Sequence, residues 1–174
     1  MDDGGDILGP RRPLTDAERI DWLRLIRSEN VGPVTFYHLL RYYGSAATAL
    51  DALPELSRRG GRKRPVRLCP ADDAERELAT TVRAGARLLA AIEPDYPAPL
   101  AATEDAPPLL AVKGDPRLFA RPAVGMVGAR NASANGKRFA ERLARELGEA
   151  GLVVASGLAR GIDAAAHRGA LATG

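Results

Sequence analysis

Ala123-Val124-Gly125-Met126-Val127-Gly128-Ala129-Arg130 and, one helix length later, Leu152-Val153-Val154-Ala155-Ser156-Gly157 decide the fold. Each stretch opens as a short, continuous apolar run and closes in a turn containing glycine. Continuous rather than alternating apolarity marks a strand covered on both faces, as in parallel sheets. Between the runs, Gly136 to Ala150 sets Phe139, Leu143, Leu147 and Ala150 on one face at helical spacing, and Gly151 ends it. Ala159 to Leu171 reads as a second helix. Strand, helix, strand, helix in this order predicts a right-handed βαβ unit. The fold class is therefore α/β, with a Rossmann-like parallel sheet.

Upstream the pattern is helical. Residues 1–13 are expected to be a disordered leader. Residues 14–56 read as a small all-α module of helix-hairpin-helix or SAM type. Thr15-Asp16-Ala17-Glu18 is a capping box opening a helix that runs to about Ser28. Pro33 follows the turn Asn30-Val31-Gly32 and suits a helix first turn, where its missing N–H costs nothing. Phe36, Leu39, Leu40 and Tyr43 mark that second helix, and Gly44 closes it. Ser45 caps a third, ending near Leu53-Pro54.

Residues 57–93 read as a basic linker and a connecting helix. Arg58, Arg59, Arg62, Lys63, Arg64 and Arg67 lie among two glycines and a proline with no acid between them; they read as a solvated linker or a second basic surface. The connecting helix is expected from about Asp72 to Ala91, with Leu78, Val82, Leu88 and Leu89 as apolar markers. The Rossmann-like region spans 94–174. It begins with five prolines in residues 94–108, which predict irregular extended chain. A short strand, Leu109–Val112, follows.

Composition narrows the function classes. The net charge is +3 and Cys69 is the only cysteine, so no intrachain disulfide forms and no Cys/His metal cluster is available. From Arg130 to Gly174 seven basic residues face four acids, an excess equal to the whole net charge. Polyanions are admissible partners. Met1-Asp2-Asp3-Gly4-Gly5-Asp6 has no apolar signal region, and no apolar run nears the ~18 residues of a membrane span. A cytoplasmic protein with no membrane partner is expected.

In a parallel sheet, ligands sit beyond the carboxyl ends of the strands. Two turns emerge there, Gly128 to Gly136 and Ser156 to Asp163. A helix N-terminus presents orphan N–H groups and partial positive charge. Glycine lets the backbone approach an anion, a hydroxyl adds a donor, and a guanidinium offers a fork matching phosphate oxygens. Gly128, Arg130, Ser133 and Gly136 supply these features in the first turn. Ser156, Gly157, Arg160 and Gly161 supply them in the second. On neighbouring strands the two turns lie side by side. A plainer reading stands beside this one: Ser133 is an ordinary helix cap, and Ser156-Gly157 an ordinary tight turn.

Other uses of such turns lack their residues. The first turn is not G-x-G-x-x-G, and Ala155-Ser156-Gly157 carries no acid for a ribose hydroxyl. There is no G-x-x-x-x-G-K-[ST]. No cofactor is expected, and no nucleophile–base pair is visible. On the helix from Gly136 to Ala150, Glu141–Arg145 and Arg142–Glu146 are expected to pair at i,i+4. His167 has no local triad partner.

Val127-Gly128-Ala129-Arg130, Ser133, Gly136 and then Val153-Val154-Ala155-Ser156-Gly157-Leu158-Ala159-Arg160-Gly161-Ile162-Asp163-Ala164-Ala165-Ala166-His167 closely resemble the DNA-processing protein A family (DprA, also called Smf). Asp95-Tyr96-Pro97, Pro107-Pro108-Leu109-Leu110, Lys113-Gly114-Asp115 and the helical start with Asn30-Val31-Gly32-Pro33 also fit. The resemblance covers about residues 15–174. It implies a non-enzymatic protein with an extended Rossmann domain that binds and protects single-stranded DNA and loads the RecA recombinase onto it in natural transformation. It implies phosphate binding at Gly128 and Arg130, with Ser133 assisting; Ser156, Gly157 and Arg160 follow the motif. A homodimer is implied for the full-length protein. The family's later strands are absent before Gly174, so a truncated sheet with weakened DNA binding is expected. The rival reading is a nucleotide-hydrolysing enzyme of the lysine-decarboxylase-like Rossmann class, whose P-G-G-x-G-T-x-x-E signature is not found here.

Overall fold

The computed structural model describes residues 10–59, 64 and 66–173. The chain divides into two compact units, one ending at Pro116 and the other beginning at Arg117.

The first unit opens with three helices, α1 (Asp16–Arg27), α2 (Pro33–Tyr43) and α3 (Ala46–Arg59). Their ends follow local chemistry. Thr15 and Glu18 form the reciprocal capping box. Pro33 occupies the first turn of α2, and Gly44 closes it at φ 78°, a left-handed conformation suited to glycine. The Ser45 Oγ accepts the Thr48 N–H at 3.1 Å. The core between them holds Trp22, Leu25, Phe36, Leu40 and Leu50, with Trp22 and Phe36 edge to face at 5.0 Å. Helix α3 runs past the expected stop at Leu53-Pro54. Pro54 forgoes one hydrogen bond to the preceding turn, yet Glu55 bridges to Arg58 and Arg59 on the turn beyond.

The expected leader covers residues 1–13. Residues 1–9 lie outside the described residues. Arg12, however, donates its N–H to the Ile92 carbonyl at 3.2 Å and its guanidinium to Glu18 at 2.9 Å. Residues 60–63 and 65 of the basic segment also lie outside the described residues; Arg58 and Arg59 belong to α3.

The connecting helix is shorter than expected. Helix α4 covers Ala71–Arg83. Gly85 adopts φ 71°, and the Ala86 N–H returns to the Thr81 carbonyl at 3.1 Å, a Schellman stop. Leu88 and Leu89 then lie in a strand, β1 (Arg87–Ala90). β1 pairs antiparallel with β2 (Leu109–Val112), Leu89 opposite Leu110. Three successive buried residues, Leu88-Leu89-Ala90, fit a strand covered on both sides. Among the prolines expected to bar any helix, Ala98–Ala101 forms one turn, α5. Pro97 caps it and Pro99 sits in its first turn, where no N–H is needed.

The second unit is the βαβα element. β3 (Ala123–Gly125) and β4 (Val153–Ala155) pair in parallel, Val124 opposite Val154. The Met126 N–H extends the ladder to the Ala155 carbonyl at 2.8 Å. Helix α6 (Ala134–Glu149) follows β3, and α7 (Ile162–Leu171) follows β4. The two helices meet through small residues: Ala140, Ala144, Ala165 and Ala166 are buried together. A Cβ on Gly169 would stand 2.0 Å from the Glu141 carbonyl oxygen. This closeness leaves no space for a large side chain. Phe139, expected on the core face, is 57% exposed, while Leu143 and Leu147 flank the alanine contact.

Candidate nucleic-acid interface

The two turns at the carboxyl ends of β3 and β4 are neighbours. The Ile162 N–H donates to the Ala129 carbonyl at 3.3 Å, tying the start of α7 to the first turn. Glycine makes this approach possible. A Cβ on Gly128 would come within 2.6 Å of the Ile162 side chain. A Cβ on Gly161 would come within 2.2 Å of the Ala129 oxygen and 2.6 Å of the Arg130 oxygen. Gly161 also holds φ 87°. The residue after Arg160 therefore touches the backbone of Arg130, and the two arginines sit on abutting turns.

Both guanidinium-bearing residues are exposed. Among the described residues neither Arg130 nor Arg160 joins an ion pair, whereas Arg142 pairs with Glu146 at 3.7 Å and Arg168 with Glu141 at 3.3 Å. The expected Glu141–Arg145 pair is replaced by this last contact. Its cause is the close packing of α7, which brings Arg168 within reach of Glu141.

The hydroxyls have different duties. Ser133 caps α6, its Oγ accepting the Gly136 N–H at 3.1 Å, and among the described residues its own O–H has no acceptor. Ser156 donates its O–H to the Met126 carbonyl at 2.7 Å. That bond engages its hydroxyl hydrogen within the protein. Gly136 borders Ser133, a Cβ there falling 3.4 Å from the Oγ.

The two helix ends also differ in charge. No acid occupies the first turn of α6. The first turn of α7 contains Asp163, which is buried and accepts the Ala159 N–H at 3.3 Å through Oδ2. A carboxylate there offsets the positive end of the helix. The start of α6 therefore keeps more positive character than the start of α7. Helix α7 starts at Ile162 rather than Ala159, because Leu158 turns the chain at φ 56°. Asp163 sits at the helix start, as its place beside Arg160 and Gly161 suggests; the support that Ile162 gives the second turn was not expected, and its position immediately after Gly161 was the available signal. No group of three or more His, Cys, Asp or Glu side chains among the described residues is placed to hold a metal, and none of their helices is long and apolar enough to cross a membrane.

A helical N-terminal domain followed by a small parallel sheet with paired glycine turns defines a mixed α/β protein of the Rossmann-like class. Residues 16–80 match the model of the DprA-like N-terminal HHH domain, and residues 87–174 match that of DNA recombination-mediator protein A. The chain belongs to the DNA recombination-mediator protein A family. It is similar to the DNA processing protein DprA of Streptococcus pneumoniae, 46% identical over 79 residues, covering 45% of this chain and 28% of that protein. Protein Smf of Synechocystis is 26% identical over 181 residues, covering 91% of this chain and 42% of that protein. The crystal structure of DprA from Streptococcus pneumoniae superposes with a TM-score of 0.60 at 25% identity, over 93% of this chain and 56% of that one. The chain thus spans under half the length of these curated relatives.

Proposed function

We propose that this chain binds single-stranded DNA through its phosphates at the first turn, Gly128 to Gly136, with Arg160 on the second turn adding charge. The observation that carries this reading is the pair of exposed arginines, neither in an ion pair among the described residues, on turns joined at Ile162 and Ala129. Arg130 supplies a fork for phosphate oxygens, Ser133 a free O–H, and the α6 N-terminus partial positive charge. Gly157 and Gly161 give the second turn its close fit rather than a contact of their own. No turnover is assigned to the site. Membership of a recombination-mediator family supports DNA as the polyanion. Protection of the strand, loading of RecA and homodimer formation extend the proposal to proteins of full family length.

The test is fluorescence anisotropy of labelled oligo-dT across a salt series. Affinity should fall steeply as salt rises, and Arg130→Ala should weaken binding at every salt and flatten the slope. Salt-independent binding, or an unchanged Arg130→Ala variant, contradicts the assignment.

A further inference from the structure

The outer face of α6 carries an aromatic ring that is more than half exposed. Phe139 is 57% exposed and lies outside the cluster formed by Met126, Ala140, Ala144 and Val154. It stands six residues beyond the cap Ser133, which places it about 9 Å along the helix axis from the first turn. The Arg142 guanidinium lies 5.8 Å from the ring centroid.

The charges along this stretch are mostly positive. Lys137, Arg138, Arg142 and Arg145 share the residues from Ala134 to Glu146 with two acids, Glu141 and Glu146, and Glu146 pairs with Arg142 at 3.7 Å. Glu141 is engaged by Arg168 from α7. Arg138 is held to the Asn135 side-chain oxygen, so it keeps its full charge. Among the described residues Lys137 and Arg145 form no ion pair. An exposed ring among cations, next to an anion seat, is the combination that binds single strands: cations track the backbone while a base stacks on the ring.

We infer that Phe139 is a base-stacking platform, and that a single strand whose phosphate sits at Arg130 continues along the first turns of α6. The occupant is single-stranded nucleic acid, selected by the positive charge of this face. The inference rests on the proposed phosphate seat, and the experiment separates the two.

Binding of oligo-dT is compared with that of an abasic strand of equal length, for the wild-type chain, Phe139→Ala and Arg130→Ala. Phe139→Ala should weaken oligo-dT binding about tenfold, a magnitude typical of one stacked base. It should leave the salt slope and abasic binding unchanged. Phe139→Trp should gain emission that oligo-dT quenches and the abasic strand does not. Arg130→Ala should weaken both ligands. Equal affinity of wild type and Phe139→Ala for oligo-dT overturns the stacking role, as does an equal loss on both ligands. A change in sedimentation with Phe139→Ala, at unchanged oligo-dT affinity, overturns it in favour of a protein contact. A phosphate seat that fails reveals itself separately, by Arg130→Ala binding like wild type. Absence of oligo-dT binding at low salt overturns both.

Discussion

Gly161 presses on Ala129: a methyl group at 161 would lie 2.2 Å from the Ala129 carbonyl oxygen. This contact holds the second turn against the first, and it involves main chain on both sides. Gly161→Ala adds that clash to a φ of 87°, so neither a rotamer change nor a small shift relieves it. A loss of about 2–4 kcal/mol is expected from the combined overpacking and left-handed strain. Gly157→Ala meets only the Asp163 Oδ2 at 3.0 Å and should cost about 1 kcal/mol or less. Urea unfolding of both variants checks the order; equal losses contradict the contact.

Ser133 offers a way to separate support from binding. Ser133→Ala removes the cap on the Gly136 N–H and should cost about 1 kcal/mol. Ser133→Asp keeps a capping oxygen at the positive end of α6 and should hold stability within about 0.5 kcal/mol of wild type. It also puts negative charge where a phosphate is proposed, so oligo-dT affinity should fall further than with Ser133→Ala. Thermal unfolding and anisotropy on the same samples read both effects.

Ser156 should behave in the opposite way. Its hydroxyl fastens the second turn to the Met126 carbonyl at 2.7 Å. Ser156→Ala leaves that oxygen without its partner and is expected to cost about 1 kcal/mol. Its effect on oligo-dT affinity should be much smaller than that of Arg130→Ala. A loss of affinity matching Arg130→Ala would return Ser156 to the binding surface.

The first unit carries its own acid sensitivity. The Glu93 carboxylate receives Arg19 through Nη1 at 3.1 Å and Nη2 at 2.6 Å, the Leu14 N–H at 3.2 Å and the Ala90 N–H at 2.8 Å. Burial is the largest single influence and pushes its pKa up. Arg19 and the two backbone donors together outweigh burial and hold it below the ordinary value of 4.5. A depressed carboxylate contributes stability that is present above its unfolded pKa and is lost as pH falls through its folded pKa. The unit should therefore weaken on acidification below about pH 4.5. Glu93→Gln should flatten that part of the profile, followed by circular dichroism against pH. Glu93→Ala, which strands the mostly buried Arg19, should cost about 3–5 kcal/mol at neutral pH.

How much could be read in the sequence depended on how local the cause was. Thr15 with Glu18, Pro33, Gly44 and Ser45 act within one helical turn, and the helix ends they set stand where the sequence puts them. Leu88-Leu89-Ala90 is too short to distinguish helix from strand by period; pairing with Leu109–Val112, nearly twenty residues on, settles it. Phe139 fits the helical face by spacing alone. Its exclusion comes from α7, because Ala165, Ala166 and Gly169 bring that helix too near for a ring. At the candidate site, the turns and their glycines were legible from composition, since close backbone approach demands glycine. The direction of a hydroxyl was not. Ser133 and Ser156 look alike in sequence, and only the carbonyl of Met126, on the neighbouring strand, separates a free donor from a spent one.

The alanine and glycine contact between α6 and α7 has a consequence for measurement at molecular scale. Each helix begins at one of the two turns, and the helices are clamped main chain to main chain at Glu141 and Gly169. The interval between the turns is therefore a gauge cut in backbone. Side-chain exchange on the surface can alter how strongly the proposed anion is held at either end. It leaves the distance between the two grips as it was, so drift in the surface charges retunes force without recalibrating length.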